Sequence, residues 1–211
     1  MELQPITPHI SDVDNFLIFC HRRHYPNRAT IIYEGDRCDT LYYIISGSVS
    51  VVLEDNDGKE VVVAYLNPGD FFDEMSLFGQ TEDRSAWCRT RNQSEVAEIS
   101  YAGFNAYAQN HLEIIFTIGR QMASRLRNTT RKVGDLSFFD VTSRIARMLI
   151  DLAKEPDAMT NPLGMQIRIT RQEIGRIVNC SREMAGSVLK NLEAQELVSI
   201  SGKTIVVLGT R

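Results

Sequence analysis

No stretch of this 211-residue chain approaches the ~18 consecutive apolar residues that a membrane-spanning helix needs, and no basic-then-apolar leader opens it. A cytoplasmic protein that neither spans a membrane nor is secreted is expected. Cysteine is scarce: Cys20, Cys38, Cys88 and Cys180 show no CxxC spacing, which points to reduced structural thiols rather than a metal or iron–sulfur site. The four histidines, His9, His21, His24 and His111, lie in no nucleophile or metal-ligand motif, and a Walker-type phosphate loop and a dinucleotide fingerprint are both missing. An enzyme is therefore not expected.

The length allows one large domain or two small ones. Charge is distributed unevenly between the two ends. From Asp140 onward ten Lys and Arg face eight Asp and Glu, a net of +2, and the overall −4 leaves −6 on the first 139 residues. The acidic part is not expected to touch nucleic acid, and the overall acidity leaves room for a local basic face.

The most specific pattern is Ile169 to Leu197, ITRQEIGRIVNCSREMAGSVLKNLEAQEL. Thr170 followed by Glu173 has the capping-box spacing that satisfies backbone donors at a helix start. Ile174, Ile177 and Val178 then recur at helical spacing, and Asn179 stands where the chain must turn, a residue that tolerates positive φ. Ser181 caps a second helix with Arg182 and Glu183 in its first turn and Met184, Val188, Leu189 and Leu192 as its buried stripe. Arg reads guanine bidentately and Glu accepts from the cytosine amino group, each pair contributing ~1–3 kcal/mol of discrimination. Arg171, Gln172 and Lys190 flank this helix, where side chains hold phosphates and fix register. Two amphipathic core helices with a solvated charged face would produce a similar pattern. The end of the chain decides against that: Leu197–Ile200, Ser201-Gly202 and Lys203–Leu208 read as strand, turn, strand, and a hairpin after a helix-turn-helix is a winged module.

Between Thr30 and Ile99 the pattern is short strands broken by Gly and Asp. Asn56-Asp57-Gly58 is a hairpin signal, and Gly35, Gly47 and Gly69 punctuate the other runs, which together predict an antiparallel β sandwich or barrel. The strand pattern breaks between Asp70 and Trp87, where Phe72–Phe78 suits one helical turn and Arg84-Ser85 leads into the next strand. A charge and backbone donors in that position suit an anionic phosphate; surface pairing of Arg84 with Glu82 or Asp83 is the alternative. From about His111 to Leu136 a long helix is implied, in which Leu112, Ile115, Ile118, Met122, Leu126, Thr129, Val133 and Leu136 alternate steps of three and four, near the heptad spacing of a coiled coil. That seam serves either packing on its own β domain or a symmetric dimer. A dimer would set two recognition helices one DNA turn apart on a roughly palindromic site.

Almost the whole chain resembles the cyclic AMP receptor protein (catabolite activator) family of transcription regulators, close to its virulence factor regulator branch. The resemblance rests on YYIISGSV, YLNPGDFF, RSAW, EVAEISY, TTRKVGDL, DVTSRIARML, EPDAMTNP, GMQIRITRQEIGRIV, CSRE and GKTIVVLGTR. It implies an α+β chain: a cyclic-nucleotide-binding β-roll (an antiparallel jelly roll) over 1–110, a dimerisation helix over 111–137, a hinge near Phe138-Phe139-Asp140, and a winged helix-turn-helix over 138–211. It also implies that cyclic AMP binding reorients the DNA-binding domains of a homodimeric activator. By position Glu74 holds the ribose hydroxyl, Met75 belongs to the same cassette, Arg84 and Ser85 hold the cyclic phosphate, and Thr129 and Thr130 the adenine, with Thr130 reaching from the other subunit. The DNA-facing set is Thr170, Arg171, Gln172, Ser181, Arg182, Glu183, Ser187 and Lys190. RNA polymerase contact is implied at Thr160-Asn161-Pro162-Leu163-Gly164 and at a second patch of His21, Arg23 and Glu98.

The chain departs from the family pattern at four places. Asp73 replaces the cassette Gly, so a carboxylate stands beside the phosphate seat; a like charge there costs on the order of a few kcal/mol at ~4–6 Å with an effective dielectric near 20, and the carboxylate is also placed to pair with Arg84. Asp takes a positive φ only with strain. Three outcomes stay open: weakened cyclic AMP binding, a different ligand, or DNA binding without ligand. Ser187 stands where the family has a third base-reading Arg, which removes ~1–3 kcal/mol of discrimination per half-site. Asn179 takes the place of a turn Gly, and Gly103 that of a Lys in the second polymerase patch. A nucleotide-sensing module without DNA binding is a remote alternative.

Overall fold

The computed structural model describes residues 13–79 and 83–210. The chain divides into two compact units, 1–128 and 129–211.

The first unit contains α1 (Val13–Ile18), β1 (His21–Tyr25), β2 (Thr30–Ile32), β3 (Thr40–Ser46), β4 (Val49–Glu54), β5 (Glu60–Leu66), β6 (Phe71–Phe72), α2 (Met75–Phe78), β7 (Trp87–Thr90), β8 (Ser94–Ser100), α3 (Tyr101–Ala108) and the first part of α4 (Glu113–Phe138). Its strands make two antiparallel sheets, ordered β1-β8-β3-β6 and β2-β7-β4-β5. The β-roll is thus the antiparallel sandwich that the strand pattern predicts.

β3 explains why the roll is covered on both sides. Its alternating side chains serve two cores, Tyr42 and Ile44 packing with Phe72, Val96 and Leu66, and Leu41 and Tyr43 with Phe16, Phe71, Phe104, Ile114 and Ile118. The first core lies between the sheets, and the second is capped by α1, α3 and α4. Turn chemistry falls where expected: Gly58 closes the β4–β5 hairpin at φ 76°, and Gly47 has φ 85° where an added Cβ would stand 2.3 Å from Ser94 Oγ.

The heptad-like seam expected along α4 is split. Ile118 is fully buried, and Ile115 and Met122 pack against the same roll core. Leu112, just before the helix, and Leu126, Val133 and Leu136 within it are exposed. A single stripe cannot face the roll and a partner at once, so the roll claims the residues one step round the helix.

The second unit carries the end of α4, then α5 (Val141–Leu152), β9 (Met159–Asn161), β10 (Gly164–Arg168), α6 (Arg171–Val178), α7 (Arg182–Ala194), β11 (Val198–Ser201) and β12 (Thr204–Leu208). The helix break falls at Phe138–Asp140, where Asp140 accepts from the Ser143 amide at 2.8 Å and caps α5. Arg131 pairs with Asp151 at 2.9 Å and Arg147 with Asp135 at 2.8 Å, joining the end of α4 to α5. The hairpin expected at the C-terminus is half of a four-stranded sheet, β11-β12-β10-β9. The segment read as a surface loop at Thr160–Gly164 holds the end of β9, a turn and the first residue of β10. β10 is legible only through its partner: Gly164 lies so close to β12 that a Cβ would come 2.0 Å from the Val207 carbonyl oxygen.

Candidate nucleotide pocket and DNA-reading helix

The loop after β6 holds the charged groups. β6 pairs with β3 through Tyr42↔Phe72 and Tyr43↔Phe71, and the chain then turns out at Asp73, whose φ is 65°. The family's Gly is thus replaced at a position with left-handed backbone. Tyr101 of α3 donates its hydroxyl to the Asp73 carbonyl at 2.7 Å and holds this turn in place.

Glu74 is 5% exposed. Arg125 of α4 binds its carboxylate at 2.8 Å, also donates to the Phe71 carbonyl, and lies 3.7 Å from Asp70. One helical turn earlier Gln121 donates to Gly69 O and accepts from the Phe71 amide, both at 2.9 Å. α4 therefore fastens the backbone of the loop that carries Glu74.

Arg84 enters from the other side, its amide donating to Asp36 O and its carbonyl accepting from Gly35 N, both at 2.9 Å. Its Nε donates to Asp73 Oδ2 at 2.9 Å and its Nη2 to the Tyr42 hydroxyl at 3.2 Å. The two charged side chains are only 9% and 11% exposed, Arg84 and Asp73 respectively. Burial pushes the Asp73 carboxyl above its ordinary range, against the pull of Arg84. Arg84 is held fully cationic: Asp73 and Tyr42 outweigh the effect of its own burial.

The structure brings Glu74, Arg84 and the departing residue Asp73 into one cluster. Glu82 lies outside the described residues, as does His9. Met75 is 62% exposed, and Ser85 is exposed at the surface, as are Thr129 and Thr130 on α4. Arg125, Gln121, Tyr42 and Tyr101 were not read from the sequence. The one available signal was the Gln121–Arg125 pair at i, i+4 on a foreseeable helix, and nothing in it says which loop, some fifty residues away, the pair meets.

In the second unit the Thr170 hydroxyl accepts from Glu173 N and the Ser181 hydroxyl from Met184 N, each at 3.1 Å. Asn179 caps α6 in left-handed backbone with φ 54°. Gly175 is required at the turn, because a Cβ there would stand 2.6 Å from the Cys180 carbonyl oxygen. The buried face of α7 is Ala185, Val188, Leu189 and Leu192; Met184, expected in that stripe, is 48% exposed. Residues 185, 188, 189 and 192 share one face, which leaves 184 beyond its edge. Arg182, Glu183, Ser187 and Lys190 of α7 are exposed to solvent, as are Arg171 and Gln172 at the start of α6; Ser181 is exposed and Thr170 half-buried. The wing turn is tied to this unit by Ile169 N donating to Lys203 O at 2.8 Å, with the Lys203 side chain exposed at its tip.

A cyclic nucleotide-binding domain model matches residues 22–111, and a Crp-like helix-turn-helix domain model residues 143–210. The chain is 60% identical over 208 residues to the cAMP-activated global transcriptional regulator Vfr of Pseudomonas aeruginosa, spanning 97% of each. The chain belongs to the CRP family of transcription regulators. It is 55% identical to CRP of Salmonella typhimurium over 196 residues, 93% of each. Among solved structures it resembles CLP of Xanthomonas campestris, described as a c-di-GMP responsive global regulator, with a TM-score of 0.88, 47% identity, and coverage of 96% of this chain and 100% of that one. As a CRP-family member it is a DNA-binding regulator, not an enzyme, and carries a cyclic-nucleotide-binding domain. Among the described residues no helix is long and apolar enough to cross a membrane, and no cluster of metal-binding side chains occurs.

Proposed function

We propose that the protein is a homodimeric activator, controlled by cyclic AMP, that binds a roughly palindromic DNA site. The observation that carries the ligand reading is the burial of Arg84, from the segment before β7, against the loop after β6 that also holds the buried Glu74. Asp73 and Tyr42 take two of the five guanidinium N–H donors of Arg84, and a carboxylate accepts more than the one bond Arg125 gives Glu74, so a cyclic phosphate on Arg84 and a ribose hydroxyl on Glu74 would use the capacity that remains. Ser85 completes the phosphate contact and Met75 the cassette, while Thr129 and Thr130 take the adenine, Thr130 from across the dimer. The names of Vfr and CRP as cAMP-activated regulators support the choice of nucleotide.

The dimer reading is supported by one face of α4 together with Leu112 just before it. Leu112, Phe116, Gly119, Ala123, Leu126, Thr130 and Val133 follow steps of four and three, and Leu112, Phe116, Leu126 and Val133 among them are large apolar side chains left exposed. A second copy of this helix would cover that stripe with knobs-into-holes packing. Two recognition helices would then read half-sites one helical turn apart, about 34–36 Å. Arg182 and Glu183 read bases, while Ser181, Ser187, Thr170, Arg171, Gln172 and Lys190 flank or support them. RNA polymerase would be met at the β9–β10 turn, where Leu163 is 65% exposed, and at His21, Arg23 and Glu98. His21 pairs in register with Glu98, and Arg23 lies 3.8 Å from its carboxylate. A cytoplasmic location accords with this function.

A second reading, DNA binding without nucleotide, is favoured by the Asp73–Arg84 pair. Calorimetric titration with cyclic AMP, then DNA binding with and without it, tests the two. Binding heat together with raised DNA affinity is expected. No heat with full DNA binding would replace the first reading by the second, and a parallel titration with c-di-GMP would reveal a different ligand.

A further inference from the structure

Resting on the cyclic-nucleotide reading of the pocket, we propose that the Asp73 carboxylate is a built-in occupant of the phosphate seat on Arg84, so that a cyclic nucleotide binds by displacing it and a proton is taken up in the exchange.

The geometry is that of a replaced ligand. Asp73 Oδ2 receives the Arg84 Nε–H at 2.9 Å, a charge-assisted contact of the kind a phosphate oxygen makes. The backbone at Asp73 is left-handed, φ 65°, and the Tyr101 hydroxyl on the Asp73 carbonyl restrains that turn. With 11% of the side chain exposed, the carboxylate has little room to swing into solvent.

The groups around Asp73 set the consequence of displacement. Glu74 is the next residue; Asp39 and Cys38 approach from the segment before β3, the Cys38 thiol at 4.0 Å from Asp73 Oδ1. Tyr101 belongs to α3, Tyr42 of β3 shares Arg84, and Cys88 of β7 lies within electrostatic reach. Arg125, on α4, is committed to Glu74 and Asp70. Arg84 is therefore the cation hydrogen-bonded to Asp73, and the charges of Glu74 and Asp39 oppose its ionisation. Once a phosphate takes Arg84, an ionised Asp73 would face that phosphate, Glu74 and Asp39 together. Neutralisation removes the conflict: the carboxylate binds one proton from solvent, and no other bond changes. Burial already raises the Asp73 carboxyl in the free protein while Arg84 restrains the rise; losing Arg84 raises it further in the complex. Binding therefore takes up a proton, and affinity climbs as pH falls between the complexed and free titration ranges, by up to about tenfold per pH unit for one linked proton.

The test is calorimetry of the full-length protein with cyclic AMP in two buffers of different ionisation enthalpy, repeated on Asp73→Asn and Arg84→Ala. Asn tolerates left-handed backbone, and circular dichroism checks that each variant is folded. The wild type should bind with proton uptake. Asp73→Asn should bind at least tenfold tighter at neutral pH with no buffer dependence, and Arg84→Ala should lose binding. A wild type that is silent while Asp73→Asn binds also supports displacement. Equal affinity and equal proton balance in wild type and Asp73→Asn would overturn the inference and leave the nucleotide reading standing. Silence from both, with c-di-GMP as from cyclic AMP, would sink the nucleotide reading and the inference with it.

Discussion

Asp73 concentrates two costs in one side chain. A non-glycine residue in left-handed backbone is strained by about 1–3 kcal/mol, and burial disfavours its charge. A carboxyl raised above its unfolded value contributes stability that is present below the ordinary carboxylate range and is lost as pH rises through the raised value. Asp73→Gly removes both costs but leaves Arg84 buried without its carboxylate, a loss of about 3–5 kcal/mol for a broken buried pair, so it is expected to melt below wild type at neutral pH, with the deficit widening on acidification; thermal melts between pH 4 and 8 check this. On α7 the consequences concern base choice. Arg182→Ala should cost ~1–3 kcal/mol of DNA affinity and relax preference at one position of each half-site. Ser187→Arg should restore discrimination at a neighbouring position, and selection from randomised operators reads both effects.

The elements depend on their ends and on contacts across sequence. The Thr170 cap on α6 receives the Glu173 amide at 3.1 Å, and Thr170→Ala should cost about 1 kcal/mol. Gly164→Ala should be worse, because its Cβ would fall 2.0 Å from the Val207 carbonyl oxygen in the neighbouring strand; β10 must separate from β12 or the variant fails to fold. α4 offers a contrast between two faces of one helix. Phe116 is 70% exposed while Ile118 is fully buried in the roll core. Phe116→Asp should leave the fold intact and shift sedimentation toward monomer, whereas Ile118→Asp should unfold the first unit. At the other end of α4 the Arg131–Asp151 and Arg147–Asp135 pairs join it to α5 at 2.9 and 2.8 Å. A fragment of residues 129–211 should therefore melt above one of residues 140–211, by roughly 1 kcal/mol given the modest worth of exposed pairs.

At the scale of the whole molecule the net charge of −4 conceals a C-terminal part of +2, so DNA affinity should depend steeply on salt through a few local cations. Each phosphate contact contributes about −0.9 to the slope of log K against log salt; Lys190→Ala should reduce its magnitude by about one and weaken all sequences alike. Much of this protein is legible in the linear chain because its signals are local. The caps at Thr170 and Ser181, the left-handed Asn179, the hairpin at Asn56-Asp57-Gly58 and the apolar steps along α4 each depend on residues within a few positions of one another. Arg84 was visible for the same reason, whereas Glu74 and the anomalous Asp73 stood out only through the resemblance to the family. The Asp73–Arg84 pairing, seen at 2.9 Å, was already open from the resemblance; the Glu74–Arg125 pairing across fifty-one residues was not, because no periodicity carries information over that distance. The sequence determined which helices, turns and charges exist. Tertiary packing alone decided that the roll would claim Ile118 and leave Phe116 outside, that β10 would form against β12, and that Glu74 would find its partner in Arg125 of α4. In each case a side chain's role depends on which distant surface it is buried against.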